Sequence, residues 1–306
     1  MRRVGALLGA VAMVVAAFVV RDALSGDEGA GTSVASDSPV VCPIDLDAEC
    51  DALPDRRPES LGVVADSLIT ADDIDSLDAD TWVVPAAWAR LIVDERARLG
   101  RPAVLEIGDV IAGTEVVLVV WDDRAEPLAA TCGTVGWACL ASQSGTALPK
   151  GDRVQAAMPD VDTAAGLVVA ASQAGALLGT GDYAANDFDP TFSAAASALA
   201  AGQRADPLRT MRARGPGAVT AVGTLRADAT NLQSTFGAIV PIGDGGHATR
   251  LDLVVLSGPG GGLASNEREA LRDALLGAGW NEPADGPDGL PAGGVLAALR
   301  TLWNEI

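Results

Sequence analysis

MPDVDTAAG, residues 158–166, joins a predicted strand to a long apolar segment, and the interpretation of the whole chain starts from it. The strand is predicted at 154–158. A helix is predicted at 163–178 because almost every residue there is Ala, Val, Leu or Gly, which is typical of a buried helix. Either Asp162 or Thr163 can cap this helix. Open α/β sheets bind ligands where strands end, and helix N-termini attract anions. The segment is therefore a candidate ligand contact, although an ordinary cap explains the same residues and the Asp162 carboxylate would take an anion's place.

Strand and helix signals alternate on both sides of this segment. Strands are predicted at 61–65, 82–84, 104–107, 115–121, 154–158, 238–242 and 251–256. Helices are predicted at 45–53, 86–99, 137–141, 163–178, 189–201, 216–222, 267–276 and 295–303, with another opening after Thr70. This alternation indicates a mostly parallel sheet with helices on both faces, arranged either as one sheet or as two lobes.

The composition argues against nucleic acid as a partner. The chain has 306 residues, with 21 Lys or Arg and 41 Asp or Glu, and its net charge is −20. Phosphate binding needs clustered cations, which such a chain does not favour. Hydrophobic residues make up 49% of the chain, so it is not a disordered acidic segment. A chain of this length can bury one large core or two smaller ones.

The N-terminus predicts export. Arg2 and Arg3 precede the uncharged run Val4–Val20, and this order is typical of a signal anchor or a cleaved signal peptide. The run is just long enough to span a bilayer, and the two arginines favour a cytoplasmic N-terminus. We expect residues 1–22 to anchor the protein in the cell membrane, with a cleaved signal peptide and a secreted protein as the alternative. A flexible linker at 23–38 and an extracytoplasmic body would follow.

The cysteines agree with an oxidising compartment. Four cysteines can pair in three ways, and we expect the local pairs Cys42–Cys50 and Cys132–Cys139. A four-cysteine zinc site is the rival interpretation. It is disfavoured because such sites prefer C-x2-C pairs, and the spacings here are longer.

No catalytic, cofactor or metal motif stands out in the sequence. There is no G-x-S-x-G nucleophile motif, and the one histidine, His247, lies in a glycine-rich loop. The turn at 257–262 lacks the Lys and Ser or Thr of a P-loop. The carboxylates at 72–80 lack the glycine and final Glu of an EF-hand. We therefore expect a protein that is not an enzyme and has no catalytic residues, cofactor or metal, with an exported hydrolase built around His247 as a remote alternative.

Several segments together resemble the type 2 periplasmic-binding-protein family, in particular extracellular solute-binding proteins of actinobacterial type. They are DTWVVPAAW at 80–88, the strand at 116–122, MPDVDTAAG at 158–166, MRARGP at 211–216 and the closing helix at 289–303. The resemblance implies an α/β fold of two lobes with a hinge of two crossing strands and a ligand held between the lobes. Lobe one would comprise 39–114 and 237–306, and lobe two 115–236.

The resemblance also implies which residues would touch a ligand. By position these are Ser67, Thr70, Trp82, Pro85, Trp88, Asp160, Asp162, Thr163 and Arg214. It implies a small-molecule ligand, and a transporter as a possible partner. The chain departs from the family at Asp162-Thr163, where the family has Thr-Ser, and its first lobe is short. The alternative is therefore a degenerate binding fold that acts as a protein-interaction module at the cell surface.

Overall fold

The computed structural model describes residues 38–148, 152–200, 202–243 and 249–306. The expected anchor at 4–20, the expected linker up to residue 37 and His247 lie outside the described residues. Within these residues, no helix combines the length and apolar character needed to cross a bilayer.

The strands of the described residues form one curled sheet. They are β1 Val40–Pro43, β2 Arg56–Glu59, β3 Thr81–Pro85, β4 Glu106–Trp121, β5 Ala156–Pro159, β6 Gln203–Arg204, β7 Ala221–Leu225, β8 Ile239–Gly243 and β9 Arg250–Ser257. Their order is β2-β1-β3-β9-β4-β7-β5-β6, and β8 pairs with β4. Strands β1, β2 and β3 are parallel, and so are β5, β6 and β7. Each parallel set therefore brings its C-terminal ends to one edge of the sheet.

Helices cover both faces of this sheet. They are α1 Leu61–Thr70, α2 Ala86–Arg98, α3 Asp122–Cys132, α4 Trp137–Gln143, α5 Ala164–Leu178, α6 Pro190–Ala200, α7 Pro207–Arg214, α8 Arg226–Phe236, α9 Ser265–Gly277 and α10 Gly293–Glu305. Helix α5 is buried along most of its length, as its run of small apolar residues predicts.

The long strand β4 connects two halves of the sheet. Its residues Glu106–Glu115 pair with β9, whereas Val116–Trp121 pair with β7 and β8. The chain returns to the first half between Gly243 and Arg250. Strand β8 pairs within the second half, and the expected boundary at about residue 237 stays a prediction. We use "lobe one" for 38–115 and 249–306, and "lobe two" for 116–243.

One hydrophobic core runs through both lobes. Trp88 and Trp303 of lobe one and Leu167 of lobe two belong to the same buried cluster. Helix α10 carries this core across the boundary, since the Trp303 ring lies 6.0 Å from the ring of Phe192 on α6. A smaller cluster that includes Trp121 packs within lobe two. Separating the lobes would expose part of the main core to water, which opposes opening.

Several predicted elements are wrong. The predicted strand at 61–65 is the first half of helix α1, whose buried residues Leu61, Val64 and Leu68 recur at helical spacing. The predicted helix at 216–222 is a turn that leads into β7, which pairs with β5 and β4. The predicted strands at 104–107 and 115–121 fall on one continuous strand, β4, which begins only at Glu106. The helices expected at 45–53 and after Thr70 are short 3-10 turns.

Both expected disulfides are present. Cys42 is bonded to Cys50, and Cys132 is bonded to Cys139. The first bond closes the loop that follows β1, and both of its cysteines are fully buried. It therefore fixes the loop at 43–49, whose Asp45 contacts lobe two, against the core of lobe one.

Candidate functional site

A cleft of about 490 Å³ opens where the lobes meet. Lobe two forms most of it with the ends of β5 and β7 and the starts of α5, α7 and α8, and lobe one adds the loop after β1. Its polar lining residues are Asp45, Thr163, Asp206, Thr224, Asp228 and Asn231. The C-terminal edge of parallel strands is where open α/β sheets bind ligands.

Three carboxylates make this cleft acidic. They belong to Asp45, Asp206 and Asp228, and none of the described side chains that line the cleft is basic. Burial raises the pKa of Asp228 to about 6, and the negative charges of Glu49, Asp45 and Asp206 add to the rise. The Thr224 hydroxyl donates to Asp228 at 3.4 Å and opposes it. Asp228 as a whole residue is exposed and lines the cleft, so a solute in the cleft can reach it.

Asp45 reaches from lobe one to the first turn of helix α5. Its Oδ2 accepts a hydrogen bond from the amide of Ala164 at 2.8 Å. Burial raises the pKa of Asp45, while the amides of Ala164 and Ala165 favour its charged form. Thr163 caps the same helix, since its Oγ1 accepts from the amide of Gly166 at 3.0 Å. The chain itself therefore satisfies the amides at this helix start.

Arg300 of helix α10 connects the lobes beside this contact. Its Nε donates to Asp162 at 2.7 Å and its Nη1 donates to Asp66 at 2.6 Å. The guanidinium also lies 5.3 Å from the centre of the Trp88 ring. Burial lowers the pKa of Arg300, but its hydrogen bonds to Asp66 and Asp162 raise it above the ordinary value. The guanidinium is therefore charged at every physiological pH and ties Asp162 of lobe two to lobe one.

Two further contacts hold the same segment of lobe two. The Trp88 Nε1 donates to the carbonyl of Thr163 at 3.2 Å, and the Gly62 amide donates to the carbonyl of Asp162 at 3.3 Å. A Cβ atom at Gly62 would lie 2.7 Å from the Asp162 carboxyl carbon, so only glycine allows this approach. We call the contacts of Asp45, Gly62, Trp88 and Arg300 with residues 162–164 the inter-lobe clasp.

Solved structures of similar shape include several binding proteins, whereas no protein-family model and no curated protein matches the sequence. Iron-bound HitA from Pseudomonas aeruginosa is similar with a TM-score of 0.56 at 13% identity, over 88% of this chain and 98% of that one. The periplasmic binding protein AfuA from Actinobacillus pleuropneumoniae, with bound fructose-6-phosphate, gives 0.54 at 10% identity over 88% and 98%. The substrate binding protein of an ABC transporter from Agrobacterium tumefaciens gives 0.50 at 12% identity over 90% and 95%.

The chain has the type 2 periplasmic-binding-protein-like fold. This confirms the predicted α/β architecture of two lobes joined by crossing strands, while the N-terminal anchor and the actinobacterial type stay predictions. At these identities the likeness is one of fold. The fold alone names no ligand for this chain, so the chemistry of its cleft has to be taken from the residues that line it.

Three predicted ligand residues of lobe two lie at or beside the cleft. Thr163 lines it as the cap of α5. Asp162 comes directly before this cap but is held by Arg300. Asp160 is exposed, and its carboxylate accepts from the Asp162 amide at 3.0 Å, which shapes the turn.

Three predicted ligand residues of lobe one lie in the core. Trp82 is 3% exposed, Pro85 is buried and Trp88 is completely buried. Trp88 still serves the periplasmic-binding-protein-like arrangement, because it supports Arg300 and binds the carbonyl of Thr163.

The other predicted ligand residues lie on helix surfaces. Ser67 and Thr70 are exposed on the second half of α1, and the Thr70 hydroxyl donates to the carbonyl of Asp66 at 2.7 Å. Thr70 comes eight residues after Gly62, about 12 Å further along the helix axis. Arg214 is the exposed last residue of α7. The structure does not bring these three together with the cleft carboxylates.

Sequence reasoning missed the three cleft carboxylates of Asp45, Asp206 and Asp228, which we call the acidic wall. Asp206 had a local signal, because an Asp before Pro207 is typical of a helix start, and its carboxylate accepts from the Arg209 amide at 2.8 Å. Asp45 had none, because its partner Ala164 is 119 residues away. Among the described residues no group of three or more His, Cys, Asp or Glu can hold a metal ion.

Proposed function

We propose that this protein is an extracytoplasmic solute-binding protein that holds a small neutral or positively charged solute in the acidic cleft. The observation that carries the proposal is the cleft itself, at the C-terminal edge of β5, β6 and β7, with three carboxylates and no basic group among its described lining side chains. Its volume of about 490 Å³ suits a metabolite-sized ligand.

The charge of the cleft argues for the class of solute. The negative charge of an anionic solute would be unfavourable next to Asp45, Asp206 and Asp228. The raised pKa of Asp228 reflects burial together with repulsion among negative charges. An ammonium or guanidinium group would relieve it, and hydroxyl groups can bond to Thr224, Asn231 and the carboxylates. The proposal involves no bond making or breaking, so the protein is not assigned an enzyme activity.

The proposal includes a place and a partner. The run Val4–Val20 after Arg2 and Arg3, together with two disulfides, supports a membrane-anchored protein with its body outside the cytoplasm. One similar structure is the substrate binding protein of an ABC transporter, which supports delivery to such a transporter. We expect the full chain in the membrane fraction and a chain lacking residues 1–22 outside it. Full-length chain in the soluble fraction would contradict the anchor.

A thermal-shift screen tests the proposed ligand class. The panel contains amines, amino acids, polyols, sugars and oxyanions, each added to the full chain. A true ligand at a hundredfold excess over its dissociation constant stabilises the folded state by about 2.7 kcal/mol, which raises the melting temperature by several degrees. We expect such shifts from cationic or neutral compounds, reduced in Asp228→Asn and unchanged in the control Asp160→Asn. A response to oxyanions alone would overturn the proposal.

A second candidate is a surface interaction module without a small ligand. The inter-lobe clasp favours it, because side chains of the protein itself occupy the start of α5 and the main core continues through both lobes. A flat response of the folded wild-type protein to the whole panel would select this candidate over solute binding.

A further inference from the structure

The amides in the first turn of helix α5 are satisfied by side chains of the chain itself. Helix N-termini present unpaired amides and partial positive charge. Here the amide of Ala164 donates to Asp45, and the amide of Gly166 donates to Thr163. Both Thr163 and Ala165 line the cleft, so an external anion would have to bind at the same place.

Asp45 is not needed as a helix cap. Thr163, the residue directly before the helix, already caps it, because its Oγ1 accepts from the Gly166 amide at 3.0 Å. The Asp45 carboxylate comes instead from the opposite lobe, 119 residues earlier in the chain. Its contact therefore adds a link between lobes, which a cap within one lobe cannot do.

The loop that carries Asp45 is held in place. The disulfide Cys42–Cys50 closes it, and the neighbouring Leu46 is 5% exposed and packs in the main core. A group tethered in the same molecule has a high effective concentration at its partner, and a rigid tether avoids the ordering cost that a dissolved anion would meet. The carboxylate therefore competes well against free anions.

We propose that the Asp45 carboxylate is a built-in substitute for the anionic group of a ligand, and that it determines specificity by excluding anionic solutes from the start of helix α5. The inference deepens the proposed function, since it explains why the cleft would refuse anions. It does not depend on which solute is bound.

Rescue by a small carboxylate tests this role. In Asp45→Ala the amide of Ala164 loses its acceptor, so acetate can enter. Melting temperatures are measured for the full chain in sodium acetate and in sodium chloride at equal ionic strength. We expect the variant to melt lower than wild type in chloride and to regain about 3 °C in acetate at tenfold to hundredfold excess over its dissociation constant. Wild type should melt at the same temperature in both salts.

Two further variants separate this role from a general salt effect. Asp47→Ala removes a carboxylate from the same loop, where Asp47 binds Arg56 within lobe one, and should show no acetate effect. Asp45→Asn keeps an acceptor of the same size, so acetate should have no room to bind. Equal acetate responses in all variants, or none in Asp45→Ala, would overturn the inference.

Refolding covers the case in which Asp45→Ala is unfolded in chloride. Recovery in acetate but not in chloride supports the inference, and failure in both salts contradicts it. The acetate rescue of Asp45→Ala uses no other solute. If the wild type responds to no compound in the thermal-shift screen, the proposed function fails, but the outcome of the acetate rescue is unchanged.

Discussion

Arg300 contacts four groups at once: the carboxylates of Asp162 and Asp66, the carbonyl of Gly62 and the ring of Trp88. Its side chain is 15% exposed and that of Asp162 is 33% exposed, whereas that of Asp66 is 64% exposed, so the pair with Asp162 is the one shielded more from water. Charge pairs that lose water are costly to break from one side, because the remaining charge stays without a partner. Arg300 is therefore the single residue whose loss should weaken the clasp most.

Replacing Arg300 should lower stability more than replacing an exposed arginine. We expect Arg300→Ala to lose about 2–3 kcal/mol of unfolding free energy, measured by urea denaturation. Arg300→Lys should recover only part of this stability. A compact ammonium lacks the planar, separated N–H donors with which the guanidinium reaches both carboxylates. The control Arg272→Ala breaks a pair with Glu282 that is about half exposed, and should cost less than about 1 kcal/mol. Equal losses for Arg300 and Arg272 would contradict the role given to Arg300.

Asp228 predicts a pH dependence of stability. Its pKa in the folded protein is about 6 against an ordinary value of 3.8, so folding favours the protonated form. Its contribution is complete below pH 4 and is lost as the pH rises through 6. Asp228→Asn should therefore be more stable than wild type at pH 8, by about 1 kcal/mol once the access of water is considered, and similar to it at pH 4.

Melting curves of wild type and Asp228→Asn across pH 4–8 measure this difference. The groups that face Asp228 are Asp45, Glu49, Asp206 and Thr224. If the difference in melting temperature between the two proteins does not change with pH, the cleft does not raise the pKa of Asp228.

Residue-level prediction worked where the signal was local. Thr163 was recognised because a Thr before an apolar helix is a cap in almost any fold, and it does cap α5. The acidic wall has no such local signal, because Asp45, Asp206 and Asp228 come together only through the curled sheet. Trp82 and Trp88 were given ligand roles by position, but strand and helix packing buries both.

Helices and strands with a strong pattern of their own were predictable. Helix α5 is apolar except at Ser172 and Gln173, and the second half of β4 is buried at nearly every position. Helix α8 was missed because its buried residues are only Ala227 and Ala229, which gives a weak periodic signal. The first five residues of helix α1, LGVVA, predict a strand because they form a short apolar run without charged residues at helical spacing.

The close approach of α1 to lobe two predicts opposite effects for two glycine substitutions. Gly62 and Gly294 are both second residues of helices, α1 and α10. A Cβ at Gly62 would meet Asp162 at 2.7 Å, whereas one at Gly294 has open space. We expect Gly62→Ala to destabilise by about 1–3 kcal/mol and Gly294→Ala to stabilise by up to about 1 kcal/mol in urea unfolding. A stabilising Gly62→Ala would mean that the lobes do not meet there.

The first disulfide should control the start of α5, and the second should not. Replacing Cys42 and Cys50 by Ser frees the loop that holds Asp45, at a cost of about 2–3 kcal/mol. Hydrogen exchange at the Ala164 amide should then become faster. The matched change at Cys132 and Cys139 opens a loop of similar length between α3 and α4 and should leave that amide protected. Equal exchange in both variants would contradict the link between loop and helix.

At the scale of the whole molecule, the fold and the closed arrangement have different origins. The alternation of strands and helices, with the resemblance of segments such as 80–88 and 158–166, was enough to predict two lobes. The closed arrangement depends on contacts between distant residues, such as Phe192 with Trp303 and Asp162 with Arg300. Such pairings leave no periodic pattern in the sequence, so only the structure reveals them.

The central claim is that the protein holds its own lobes together before any solute arrives. Small-angle X-ray scattering of the solute-free full chain, compared with the double variant Asp45→Ala/Arg300→Ala, measures this most directly. We predict that the wild type has the smaller radius of gyration and that the double variant has a larger one. A solute-free wild type that scatters as an open two-lobed particle, with the same radius as the double variant, would contradict the claim.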